Sequence, residues 1–168
     1  MKDTDKAYLA GLLDGEGTIG LVWNASKGRW RANTNHLRAQ VDVVCNCDAE
    51  LIRAVVEMLK GFGLSPKIVD YKTTERNPNW SAAWKVCLVT IDDKKKFLSL
   101  IHPYLIAKRE QADIVLQFLA RRSTHTKVKT NQYERVLWAR CAELNRRGGR
   151  ASEPVTTGRE AEDTPKLQ

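Results

Sequence analysis

From His36 to Val43 the chain alternates without a break, with His36, Arg38, Gln40 and Asp42 on one side and Leu37, Ala39, Val41 and Val43 on the other. Period two means an extended strand, because successive side chains leave opposite faces of the backbone. A dry face set against a charged one constrains the fold further. Such a strand belongs to a sheet packed on one side only, the habit of antiparallel sheets, and a one-residue slip would carry every apolar side chain into water. One sheet face is therefore predicted to be core and the other to be left for something polar.

The flanking sequence supplies the rest of the sheet and its cover. Residues 4–15 carry helical spacing, with Thr4 or Asp5 suited to the N-cap, and Gly15-Glu16-Gly17 is expected to halt that helix. Thr18 to Asn24 alternates as a strand, followed by a polar loop, ASKGRWRANT, in which Lys27, Arg29 and Arg31 surround Trp30. Asp48 opens an amphipathic helix, DAELIRAVVEMLKGFG, ending in glycine as a C-terminal stop predicts. Two more strands are predicted, about Lys67 to Thr73 and Ala83 to Ile91, joined by a loop holding Asn77, Pro78 and Asn79. A short helix, KKKFLSLI, follows Asp92 and stops at His102-Pro103, and longer helices are predicted over Lys108 to Arg122 and Asn131 to Arg146. The order helix, two strands, helix, two strands, helices is an α+β pattern around a four-stranded antiparallel sheet.

A chain of 168 residues fits one domain, expected over 1–146. Residues 147–168 contain no periodic apolar set and are expected to form a disordered tail. That tail has four basic residues (Arg147, Arg150, Arg159, Lys166) and four acidic ones (Glu153, Glu160, Glu162, Asp163). The net charge of +8 therefore sits on the body, which suits a polyanionic partner, nucleic acid or an acidic membrane surface. No apolar run approaches the roughly 20 residues that span a bilayer, and MKDTDKAYLAG lacks the layout of a signal peptide, so a soluble, intracellular protein without a membrane partner is expected. Of the four cysteines, Cys45 and Cys47 have C-x-C spacing with no second pair or neighbouring histidine, which argues against zinc. Reduced, partly buried thiols are expected.

Residues 9–17, LAGLLDGEG, put three glycines and two acids into a run otherwise suited to a helix. Glycine inside a helix costs about 1 kcal/mol relative to alanine. Ala7, Gly11 and Gly15 recur every fourth residue and leave one helix face nearly smooth, so that another backbone could approach, either that of the chain's own sheet or that of another helix. Glu16 lies at the negative end of the helix dipole, where a carboxylate is unfavourable by about 0.3–1 kcal/mol. A divalent cation would reverse that sign, and Asp14, Gly15 and Glu16 would offer it carboxylate and carbonyl oxygens of the kind magnesium takes. Capping or a solvated surface is the alternative for both acids.

LAGLLDGEG resembles the LAGLIDADG motif of a family of intron-encoded homing endonucleases, matching at Leu9, Ala10, Gly11, Leu12, Asp14 and Gly17, with Glu16 replacing the second aspartate at equal charge. HPYLIAKREQADIVL and YERVLWARCAELN are similar to the pocket-lysine segment and C-terminal helix of the small homodimeric algal chloroplast members. The resemblance spans about Thr4 to Asn145, with no second motif copy. It implies the αββαββα fold, a four-stranded antiparallel saddle with helices on one face. It implies a homodimer whose motif helices meet along Ala7, Gly11 and Gly15, cutting both strands of a long, nearly palindromic duplex with Mg²⁺, for which Mn²⁺ or Ca²⁺ substitute in binding. Glu16 matches the metal-binding acid, the Gly15 carbonyl its backbone ligand, Asp14 the more structural first acid, and Lys108 the pocket lysine. The polar residue that orients water falls on Asn46, or by a one-residue shift on Cys45 or Cys47.

A β-ribbon fits the major groove, so Asn24, His36, Arg38, Gln40, Asp42, Asp70, Lys72 and Lys85 are the expected base readers, Arg38 for guanine and Gln40 for adenine. Lys27, Arg29, Arg31 and Lys67 are expected in loops touching phosphates, and Lys94-Lys95-Lys96 as a solvated helix start. Other functions implied within the family are binding of intron RNA as a maturase and DNA binding without cleavage. The retained Glu16 and Lys108 favour catalysis over both. A bacterial, phage or organellar compartment is equally compatible with the sequence.

Overall fold

The computed structural model describes residues 2–25, 35–70, 81–122 and 129–146. Helix α1 (Asp3–Glu16) leads into β1 (Thr18–Ala25) and β2 (Asn35–Asn46), then α2 (Ala49–Gly61), β3 (Pro66–Asp70), β4 (Trp84–Leu88), α3 (Ile91–Ile101), a 3-10 turn (His102–Tyr104), α4 (Arg109–Ala120) and α5 (Gln132–Asn145). The four strands form one antiparallel sheet in the order β1-β2-β4-β3, as the alternation and element order predict. Leu37, Ala39, Val41 and Val43 are all buried on its helical side, packed with Leu9 and Leu13 of α1 and with α2, α3 and α4.

The strand pattern breaks once. Between Asp42 and Val44 the pairing of β2 with β4 shifts by one residue, so Val43 and Val44 are both buried and the two-residue rhythm restarts with Cys45 opposite Lys85. This is a β-bulge, one extra residue that bends its strand and re-aims the side chains beyond it. Its consequence is that Asn46 ends the strand opposite Trp84.

Element ends differ from expectation for local reasons. Helix α1 starts at Asp3, with Asp5 accepting from the Lys2 backbone N–H from inside the first turn instead of capping it, and it continues through Gly15 and Glu16. Gly17 follows in ordinary extended backbone, and its lack of a side chain is a packing need: a Cβ there would lie 2.8 Å from the Asp42 carbonyl and 2.4 Å from a Leu13 methyl. Helix α2 has the predicted Asp48 cap, accepting from Glu50 N at 2.8 Å, and is followed after Phe62 by Gly63, whose positive φ of 66° suits glycine. Strand β4 stops short of Ile91 because the Thr90 hydroxyl caps α3 through Asp93 N. That earlier start carries Lys94 inward, 7% exposed with its Nζ on the Val89 carbonyl, so the lysine run is not simply a solvated face.

Helix α5 covers the edge strand. Asn145 Nδ2 donates to the Ile19 carbonyl at 3.0 Å, and Trp138 meets Trp23 edge to face at 5.9 Å. A covered edge cannot template further strand pairing. The helix is itself anchored by buried Glu134, whose carboxylate accepts from the Arg122 guanidinium at 2.7 and 2.6 Å.

Candidate active site and nucleic-acid face

The C-terminus of α1 is held by a reciprocal lock with residues 106–108. The Asp14 carboxylate accepts from the backbone N–H groups of Ile106 (2.7 Å), Ala107 (3.1 Å) and Lys108 (2.9 Å). In return the Lys108 ammonium donates to the carbonyls of Leu13 (2.6 Å), Asp14 (2.8 Å) and Gly17 (2.9 Å). The last turn of α1 has no basic residue of its own, and the final carbonyls of a helix carry partial negative charge that a cation offsets. Lys108 supplies that cation from 94 residues away in sequence. Burial pulls its ammonium below the ordinary lysine range, and the Asp14 carboxylate opposes the shift. The three ammonium protons of Lys108, the residue that matches the pocket lysine, are thus engaged by backbone carbonyls. Both oxygens of the Asp14 carboxylate are engaged by these three N–H groups.

Glu16 stands exposed at the end of this helix and meets Asn46, whose Nδ2 donates to Oε2 at 2.8 Å. Asn46 Oδ1 accepts from Asp48 N at 2.9 Å, so its amide cannot be turned round. Of the three residues left open by sequence, Asn46 is the one that touches Glu16. Cys45 lies across from Lys85 on the polar sheet face, and Cys47 is exposed.

The donor set at this corner suits a hard divalent cation. One carboxylate oxygen of Glu16 lies outside the Asn46 contact. None of the described residues donates to the Gly15 carbonyl, whereas the carbonyls of Leu12, Leu13, Asp14 and Gly17 are all occupied. Magnesium keeps several waters and takes only one or two protein oxygens beside substrate phosphates, so Glu16 and Gly15 are sufficient while Asp14 is engaged elsewhere. Among the described residues no group of three or more His, Cys, Asp or Glu gathers at one point, here or elsewhere.

Ala7, Gly11 and Gly15 form an exposed strip along α1. A Cβ added at Gly11 or Gly15 would meet nothing within 4 Å, so neither glycine serves packing within the chain. Packing of this face on the chain's own sheet is thereby excluded.

Arg38 is exposed, and His36 sits in register with Asn24. Asp42, Cys87 and Lys67 form one row across β2, β4 and β3, so Lys67 belongs to the sheet face and not to a loop. Asp70 pairs with Trp84 and therefore falls in the opposite parity from Lys85, away from the reading row. Asp42 is 6% exposed and is not a free reader: it accepts from Gln40 Nε2 and pairs with Lys85 Nζ at 3.1 Å. The sequence signal for that network was the i, i+2 spacing of Gln40 and Asp42, which places them side by side on one strand face. Burial raises the thiols of Cys45 and Cys87 above the usual cysteine range. Lys27, Arg29, Arg31, Lys72, the loop with Asn77, Pro78 and Asn79, and the tail from 147 to 168 lie outside the described residues.

Among solved structures, the homing endonuclease I-CvuI in complex with the I-CreI target in the presence of Mg, the DNA not cleaved, superposes with a TM-score of 0.60 at 17% identity, covering 89% of this chain and 86% of that one. I-CeuI, a group I intron-encoded homing endonuclease complexed with DNA, gives 0.53 at 13% identity over 71% of this chain and 55% of its own. The archaeal intron-encoded enzyme I-Vdi141I complexed with DNA gives 0.51 at 12% identity over 86% and 99%. These likenesses show the fold. Comparison with curated proteins finds no match. The profile of the LAGLIDADG-like domain matches residues 3–102, more than half of the chain, and together with the motif helix and the antiparallel sheet order it establishes that the protein belongs to the LAGLIDADG family.

Proposed function

We propose that the chain is a homing endonuclease that acts as a homodimer on a long, nearly palindromic duplex, cutting both strands in a reaction that requires Mg²⁺. The observation that carries this reading is the meeting of Glu16 with Asn46, 30 residues apart, at the tip of a helix whose small-residue face is open. Neither simple binding of DNA nor binding of intron RNA needs an exposed acid oriented in that way. The relatives support it too: I-CvuI is described with its own target and Ca as well as with Mg.

A bound divalent cation supplies charge neutralisation and a lowered pKa for its water, the chemistry that phosphodiester hydrolysis requires. Glu16 and the Gly15 carbonyl are the residues that would hold it. Asn46, anchored at Asp48 N, fixes the Glu16 carboxylate so that no reorientation is needed when substrate arrives. Lys108 and Asp14 keep the helix end rigid. Hydrolysis of one strand transfers a water oxygen to phosphorus and releases the 3′ oxygen. A single chain presents one Glu16, so a second copy apposed along Ala7, Gly11 and Gly15 accounts for the second strand and for a two-fold symmetric site.

The test is incubation of purified protein with a plasmid carrying the uninterrupted form of the host gene. Linear product with Mg²⁺, its loss with a chelator, and Glu16→Gln protein that binds without cutting are expected. Absence of nicking with any divalent cation, together with tight binding to intron RNA, would overturn the reading in favour of a maturase.

A further inference from the structure

Gln40, Asp42 and Lys85 form a chain of contacts on the polar sheet face, with the Asp42 carboxylate in the middle accepting from both neighbours. A glutamine amide on an open sheet face can present either end, oxygen or nitrogen, by turning half a revolution about its last bond. Here the turn is opposed. The Asp42 carboxylate only accepts, so rotation would set the Gln40 carbonyl oxygen against an anion, with the Lys85 ammonium already paired to that anion at 3.1 Å. Asp42 is itself held: it is 6% exposed, sits opposite Thr18 in the ladder, and its carbonyl lies against Gly17 immediately beyond the candidate catalytic corner.

We infer that Asp42 is a positioning residue for base reading, which locks the Gln40 amide with its oxygen available to the groove and so selects a base carrying an exocyclic amino group over one carrying a keto oxygen. This inference rests on the proposed DNA-binding role of the sheet face. Adenine N6 and cytosine N4 donate in the major groove, whereas guanine O6 and thymine O4 accept. A fixed Oε1 therefore bonds to adenine or cytosine, and with one of the two Nε2 protons taken by Asp42 a single donor is left for guanine or thymine, while a free amide would accommodate all four by rotating. The preference belongs to the inner part of each half-site, because Gln40 pairs with Gly20 and Asp42 with Thr18, a few residues beyond Glu16. The gain is discrimination without an added contact, since Asp42 need not touch DNA.

The experiment is selection of cleaved or bound sites from a randomised duplex library with the full chain, in parallel for the native protein, Asp42→Asn and Gln40→Met, each checked for a native circular dichroism spectrum. The native protein is expected to prefer amino over keto bases at one inner position per half-site by about tenfold or more. Asp42→Asn, whose amide accepts or donates, is expected to lose that preference at that position alone while the preferences selected at the other positions persist. Gln40→Met is expected to erase the preference at the same position without changing charge, and it serves as the readout if Asp42→Asn does not fold. An unchanged amino-to-keto ratio in either folded variant, or a loss spread evenly over all positions, would overturn the inference while leaving the endonuclease reading intact. Native protein that selects no duplex at all would overturn that reading and the inference with it.

Discussion

Replacing Lys108 with methionine removes one charge and three hydrogen bonds while keeping most of the stem. The ammonium donates to the Leu13, Asp14 and Gly17 carbonyls at 2.6, 2.8 and 2.9 Å. A hydrogen bond from a charged donor contributes about 1.5 kcal/mol net at the low end of the measured range, so three give about 4.5 kcal/mol. Two effects reduce this: the half-buried ammonium recovers its desolvation cost, evident in the downward pull of burial on its proton affinity, and the freed carbonyls are partly hydrated at an exposed helix end. A net loss of about 2–3 kcal/mol remains, a fall of roughly 6–9 °C in melting temperature for a domain of this size. Urea denaturation of Lys108→Met, Asp14→Asn and the double variant measures it. The singles are expected to be less than additive, because each alone loosens the same lock. If Lys108→Met instead loses under about 0.5 kcal/mol while cleavage vanishes, the lysine serves the chemistry directly and its assignment to the helix end is refuted.

Gly11→Ala meets no atom within 4 Å in the single chain, so it is expected to raise monomer stability by about 1 kcal/mol through helix propensity. Gly11→Leu should keep the fold but weaken self-association at least about tenfold, equivalent to about 1.4 kcal/mol; unchanged sedimentation would exclude α1 as the interface. Glu134→Ala removes the carboxylate that accepts from Arg122 at 2.7 and 2.6 Å and from Asn131 N at 3.1 Å and is expected to cost about 2–4 kcal/mol in denaturant melts. The thiol of Cys141 is pushed up by burial, so the native chain keeps that proton to higher pH than the unfolded chain. Its contribution to stability is whole below the unfolded value of 9.0 and lost as pH rises through the native one. Cys141→Ala should therefore flatten the alkaline limb of the stability profile. Alkylation at neutral pH should label exposed Cys47 well before buried Cys141.

Local periodicity made most of the architecture legible. The alternation from His36 to Val43, the Asp48 cap and the glycine at the end of α2 each act over a few residues, and all reappear in the fold. The motif also marked its own helix, since three glycines in an apolar run are costly and two of them, Gly11 and Gly15, have no packing role within the chain. Gly17 is different, because its need arises from the Asp42 carbonyl, which only the folded sheet brings beside it.

The faces of β2 from His36 to Val43, the helix order, the excess of positive charge and the acid at position 16 are legible in the chain alone, because each is a property of composition or of spacing within one element. Tertiary structure alone decided what those residues face. An extra residue at Val43 restarts the β2 rhythm and lets Asn46, not a cysteine, reach Glu16. Lys108 is drawn to the end of α1 by carbonyls that exist as a cluster only once the helix has formed, and Asp42 turns from a reader into the clamp on one. Spacing cannot disclose such roles: a charged side chain takes its function from the partners that satisfy it, and here those partners come from other elements or from the register between strands.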